Sequence, residues 1–147
     1  MAQRHKAREC ALQMLFQWEI GRQELERIER GFWKIVGADK NMRAFADQLF
    51  EGAAKNATEL DSQVAAMAEN WRPERFAVID RVILRLAAFE LSAGKTPPKV
   101  VLNEAIELAK KFSSEDASSF INGILDSLVR STEKKATEKT SSQKKQK

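Results

Sequence analysis

Apolar residues recur along the chain at steps of three and four. Ala7, Cys10, Ala11, Met14, Leu15 and Trp18 form the first such run. That spacing lays them along one side of a helix. Gly21 is placed to close it. Leu25, Ile28, Phe32 and Ile35 mark a second helix that ends near Gly37, and "GADKN" reads as a loop. A third helix carries Met42, Phe45, Ala46, Leu49, Phe50 and Ala53. A fourth, separate or continuous with it, carries Leu60, Val64, Met67 and Trp71.

Pro73 suits the first turn of a fifth helix. Phe76, Ile79, Val82, Ile83, Leu86, Ala87 and Leu91 give this helix a wide apolar arc, so it is expected to be central and most buried. Gly94 stops it, and "KTPPK" is a stiff turn. Val101, Ala105, Leu108, Ala109 and Phe112 define a sixth helix, and Phe120, Ile121, Ile124, Leu125 and Leu128 a seventh. Ser113 or Ser114 can cap the seventh, with Glu115 and Asp116 in its first turn. Gly123 within it suggests a close helix approach. No convincing strand emerges. The expected fold is all-α, with six to seven helices joined by short loops.

Composition adds limits. At 147 residues and 43% apolar, the chain is expected to make one domain with a real core. No apolar run reaches the roughly 18 residues that span a bilayer, and a cytoplasmic location is the default expectation. The single cysteine cannot form an internal disulfide. The net charge of +4 is local: "STEKKATEKTSSQKKQK", residues 131–147, holds six lysines and two glutamates, and residues 1–130 are neutral. The segment has no apolar period and no aromatic residue, so a disordered Lys-rich tail is expected after a folded domain at 1–130.

Candidate chemistry is sparse. One histidine, one cysteine and no tyrosine leave few nucleophiles or bases. HExxH, CxxC, GxSxG and Gly-rich phosphate loops are absent, so neither an enzyme nor a metal or cofactor site is expected. Cys10 falls on the apolar stripe and reads as a small core residue. Glu90, between Phe89 and Leu91, is the one acid in a notably apolar setting and is expected to bond a basic side chain or a helix end.

Binding is better supported. Arg4 and Arg8 stand one turn apart, with His5 and Lys6 beside them, as a short positive patch. Arg8 is expected to point outward, away from the Ala7–Cys10–Ala11 stripe. In the C-terminal half, Lys110 and Lys111 precede a turn rich in serine hydroxyls at a new helix N-terminus, where an anion can be held. Asn122 can bond a base edge, and Phe112 and Phe120 can stack on bases.

"RHKARECALQMLFQWE", "IDRVILRLAAFEL" and "PPKVVLNEAIELAKKFSSEDASSFINGILD", in that order, resemble the transcription antitermination factor NusB family over about residues 4–130. The resemblance implies two packed three-helix bundles and no catalysis. It implies pairing with the ribosomal protein that serves as NusE, binding of boxA RNA in nascent transcripts, notably of ribosomal RNA operons, and assembly on RNA polymerase with NusA and NusG. By position it assigns RNA contacts to Arg4, His5, Lys6, Arg8, Lys110, Lys111, Phe112, Asp116, Ser119 and Asn122. It assigns partner contacts to Phe16, Asp80 and Arg81 or Arg85. Lys and His stand where the family usually has Arg, which weakens the first patch. The alternative is a helical adaptor that binds protein and not RNA. A family-like module fused to an RNA cytosine methyltransferase is not expected, since the chain ends soon after the helical domain. Homodimerisation stays open.

Overall fold

The stripe from Ala7 to Leu15 becomes the buried side of α1 (Ala2–Gly21). α2 (Leu25–Ile35) and α3 (Lys40–Lys55) complete a first bundle with it. α4 (Ala57–Met67) lies across α5 (Val78–Ala93) and α7 (Glu115–Lys145), and α6 (Pro98–Phe112) packs between α5 and α7 in a second bundle. The computed structural model describes residues 2–68 and 76–145, with side chains for 3–68 and 76–133. Among these there is no strand. Trp71 and Pro73 lie outside them.

α5 joins the bundles. It packs on α1 and α3 on one side and on α4, α6 and α7 on the other. Val82 through Ala88 are seven consecutive buried residues. A helix enclosed on all sides has no need of a polar face, which is why its apolar arc is so wide. It begins at Val78, later than the sequence suggests. Phe76 stands before it, its ring stacked on Phe120 with centroids 4.6 Å apart.

Local signals set the ends. Asp39 caps α3, its carboxylate accepting from the Met42 N–H at 2.8 Å. Asn56 separates α3 from α4, and its side-chain amide donates to the Gly52 carbonyl. Gly94 ends α5 in the left-handed conformation, φ 68°. Ser114 caps α7, accepting from the Ala117 N–H at 3.0 Å. After α1 the left-handed residue is Arg22, not Gly21. Its guanidinium lies 4.0 Å from the Trp18 ring.

Two expectations change. The close approach is not at Gly123, which has open space around its Cα. It is at Gly52, where an added Cβ would fall 2.0 Å from the Phe89 ring. Gly52 lets α3 lie against that ring on α5. Secondly, helix does not stop at 130. α7 continues through Lys145, with Ser131 half-buried and the Thr132 hydroxyl donating to the Leu128 carbonyl. Residues 131–145 contain neither Gly nor Pro, so nothing in them breaks a helix already started. The side chains of 134–147 lie outside the described residues.

Glu29 on α2 is buried against α3 beside Asp47 and Glu51. Burial, then hydrogen bonding and repulsion from the two neighbouring acids, pushes its carboxyl from 4.5 up to about 8. Between those values the folded chain holds a proton that the unfolded chain has lost, so stability must fall as pH rises. We expect wild type to lose thermal stability from pH 5 to pH 8 and Glu29→Gln to flatten that decline, as read by circular dichroism melts. Parallel declines would show that Glu29 ionises normally.

Candidate RNA and partner interface

The start of α1 lies beside the start of α3, where the Gln3 amide donates to Asp39 Oδ2 at 3.0 Å. Arg4 is exposed, with its guanidinium 4.7 Å from the centre of the Phe45 ring. Lys6 is exposed as well. His5 turns toward α6: Nδ1 is 2.6 Å from Glu104 Oε2 and Nε2 is 3.1 Å from Glu9 Oε1. The hydrogen bond to Glu104 leads the causes that raise the His5 pKa, outweighing partial burial. The two neighbouring carboxylates thus favour imidazolium.

Arg8 does not belong to this surface. It is 4% exposed, and it is bonded to Glu90, itself 5% exposed. Nε donates to both Glu90 oxygens at 3.1 and 2.9 Å, and Nη2 donates to Oε1 at 2.9 Å. The outward expectation fails because the buried arc of α1 is wider than the Ala7–Cys10–Ala11 stripe. Leu12 and Leu15, four and seven residues on from Arg8, are fully buried. Arg8 continues their row. Glu90 does bond a basic side chain, as its apolar setting implied.

The second cluster lies across from the first. Lys111 on α6 reaches back to α1, with Nζ 2.9 and 3.0 Å from the two Glu9 oxygens. Lys110 is exposed at the end of α6, and Asp116, Ser119 and Asn122 are exposed on the first turns of α7. The structure therefore runs α6 alongside α1, with Glu104 at His5, Lys111 at Glu9 and Phe112 beside Leu12 and Phe16. Phe112 is half-buried against the core, with Lys111 Nζ 5.6 Å from its ring centre. Phe120 is committed to Phe76 and is no free stacking platform.

Phe112 also borders a groove of about 610 Å³. Leu12, Gln13, Phe16 and Gln17 of α1 form one wall, and Ala77, Val78 and Ile79 at the start of α5 form the other. Phe16 is 36% exposed here, a large apolar ring left facing solvent. The other expected partner residues are less accessible. Asp80 is buried, and its Oδ1 has no hydrogen-bond partner. Arg81 is half-buried, and its Nε has none. Arg85 is fully enclosed: Nε and Nη2 donate to Asp61 at 2.8 and 2.9 Å, and Nη1 donates to Glu19 at 2.8 Å. It ties α5 to α4 and α1 and cannot meet a partner. Asp80 is no exposed rim charge; it stands in the first turn of α5, where a carboxylate suits the positive helix end.

Sequence reasoning missed Glu9 and Glu104, the acids threaded among the cations, and the groove residues Gln13, Gln17, Val78 and Ile79. Glu9 had a readable signal, one helical turn after His5. Among the described residues no cluster of three His, Cys, Asp or Glu side chains could hold a metal ion, and no helix is long and apolar enough to cross a membrane.

A family model described as the NusB family matches residues 5–130. The chain belongs to the NusB family. Transcription antitermination protein NusB of Koribacter versatilis (strain Ellin345) is 46% identical over 129 residues, 86% of this chain and 88% of that protein. Its counterpart from Sorangium cellulosum (strain So ce56) is 41% identical over 130 residues, covering 88% and 93%. Among solved structures, T. maritima NusB superposes with a TM-score of 0.76 at 33% identity, covering 86% of this chain and 90% of that one. A chain in a crystal structure of antitermination factors NusB and NusE with double-stranded RNA superposes at 0.80 with 25% identity, covering 89% and 98%. The all-α NusB fold expected from the three sequence motifs is the fold observed.

Proposed function

We propose that this protein is a transcription antitermination factor that pairs with a NusE-type ribosomal protein and binds boxA RNA, acting by binding and not by catalysis. Support comes from a NusB-family structure solved together with NusE and RNA and from one feature of the present surface. Phe112 borders the apolar groove on one side, and its neighbour Lys111 belongs to the basic face on the other. A protein seated in the groove thus lies next to any RNA on Arg4, His5, Lys6, Lys110, Lys111, Ser119 and Asn122. Asp116, beside them, moderates phosphate attraction while stabilising the α7 N-terminus. Phe16 anchors the partner, while Asp80 and Arg81 keep their unpartnered atoms buried at the start of α5. The setting is the cytoplasm, on RNA polymerase reading ribosomal RNA operons with NusA and NusG. Without its partner, the exposed groove is free to pair with a second copy.

The basic face is short and residues 1–130 carry no net charge, so the protein alone should hold RNA weakly. We expect boxA RNA to bind more tightly to the pair with NusE than to either protein alone. Phe16→Glu should weaken NusE binding tenfold or more, as loss of a central aromatic anchor does, with the circular dichroism spectrum unchanged. Calorimetry for the protein pair and RNA titration across a salt series provide the measurements. Equal RNA affinity with and without NusE would sink the composite site. Binding that ignores salt would favour the RNA-free adaptor.

A further inference from the structure

The cations facing RNA are not idle in the free protein. Lys111, Glu9, His5 and Glu104 form an unbroken chain across α1 and α6. Lys111 Nζ is 2.9 Å from Glu9 Oε1, that same oxygen is 3.1 Å from His5 Nε2, and His5 Nδ1 is 2.6 Å from Glu104 Oε2. With the imidazole protonated, two positive charges meet two negative ones. Arg4, Lys6 and Lys110, the other cations of this face, make no ion pair among the described residues.

The geometry points to Glu9 as an affinity-setting residue: a built-in carboxylate that occupies Lys111 and His5 where an RNA phosphate would otherwise sit. This rests on the RNA-binding reading above and goes beyond it, because it assigns a restraining role to an acid. The burial pattern supports it. The Lys111 side chain is 58% exposed, within reach of a ligand, whereas the Glu9 side chain is 14% exposed. A phosphate that draws Lys111 away leaves Glu9 poorly hydrated and with only His5 to pair with, which costs more than exchanging one surface ion for another. Glu9 also stays behind as a negative charge close to the incoming phosphate. RNA must therefore bring further contacts, such as those of a neighbouring protein, before this part of the face opens.

The decisive experiment titrates wild type and Glu9→Gln with single-stranded boxA RNA, with and without NusE, across a salt series. Glutamine keeps the shape and loses the charge. Glu9→Gln should bind roughly two- to fivefold more tightly, a range set by surface ion-pair energies. Its log–log salt slope should steepen by about 0.7, one added phosphate contact on a single strand. Adding Lys111→Ala to Glu9→Gln should abolish the gain. Glu104→Gln gives a second route: it releases His5 from one acid and should raise affinity at pH 6 even if Glu9→Gln folds poorly. Affinity and slope equal to or below wild type in both charge-removing variants would overturn the assignment and make the acids positioning groups for the cations. Arg4→Ala and Lys6→Ala, run in parallel, separate the two layers. If they weaken RNA binding while the acid variants do not strengthen it, only the role of Glu9 falls. If they bind as wild type, the RNA face itself is misplaced and the inference falls with it.

Discussion

Arg8→Ala should be among the most destabilising single substitutions in this protein, costing about 3–5 kcal/mol, the range for breaking a buried ion pair from one side. Three hydrogen bonds to Glu90 disappear, and a carboxylate 5% exposed is left with no cation. At about 3 °C per kcal/mol for a chain of this length, melting should drop by roughly 10–15 °C. RNA affinity, measured well below the new midpoint, should change little, because Arg8 is almost wholly enclosed. Replacing both partners with apolar residues, Arg8→Met with Glu90→Leu, should recover most of the loss, since the pair gives up much hydration to form. The measurement is urea unfolding of the two single variants and the double. A stable Arg8→Ala with weakened RNA binding would return Arg8 to the RNA face.

Arg85→Ala should cost nearly as much, about 3–4 kcal/mol, through the lost pairing and the void left in the core. Its two acids respond differently to that loss. The Asp61 side chain is 47% exposed and water can take over its hydration, but that of Glu19 is 13% exposed and remains stranded. Arg85→Lys should lose less, roughly 1–2 kcal/mol, because one ammonium cannot reproduce the guanidinium fork. These changes should appear with no partner present. A variant that melts like wild type alone and fails only in NusE binding would restore Arg85 to the interface.

Both substitutions show where sequence reading ends. The helices were legible because an apolar residue every three or four positions has one physical meaning in a soluble chain. The centrality of α5 was legible from its wide arc, and the Ser114 cap from residue type. The exposure of a charged residue was not. Arg8 and Arg4 look alike in sequence and stand one turn apart, yet one is enclosed and the other faces solvent. What separates them is Glu90, 82 residues away, and no local pattern announces which acid will meet which base. The apolar neighbours of Glu90 announced only that it needed a partner. Arg81 and Arg85 posed the same ambiguity on α5, where one turn separates a half-buried side chain from a fully enclosed one. Asp80 and Phe16 obey that division: aromatic exposure at Phe16 agrees with a binding role, and the burial of Asp80 had no sequence signal. Gly123 misled because a glycine inside a helix marks a close approach only when something approaches.

The side chains that tie α1 down come from far along the chain. Arg8 meets Glu90 across 82 positions, Glu19 meets Arg85 across 66, His5 meets Glu104 across 99, and Glu9 meets Lys111 across 102. α1 packs most extensively on α3, but these four distant polar partners all lie on α5 and α6. Until about residue 90 has emerged, Arg8 lacks its partner Glu90. Such distant pairings slow folding because a long loop must close before they form. Once α5 and α6 arrive, the same four pairs lock α1 to both, adding polar ties to the packing that α1 makes on α3.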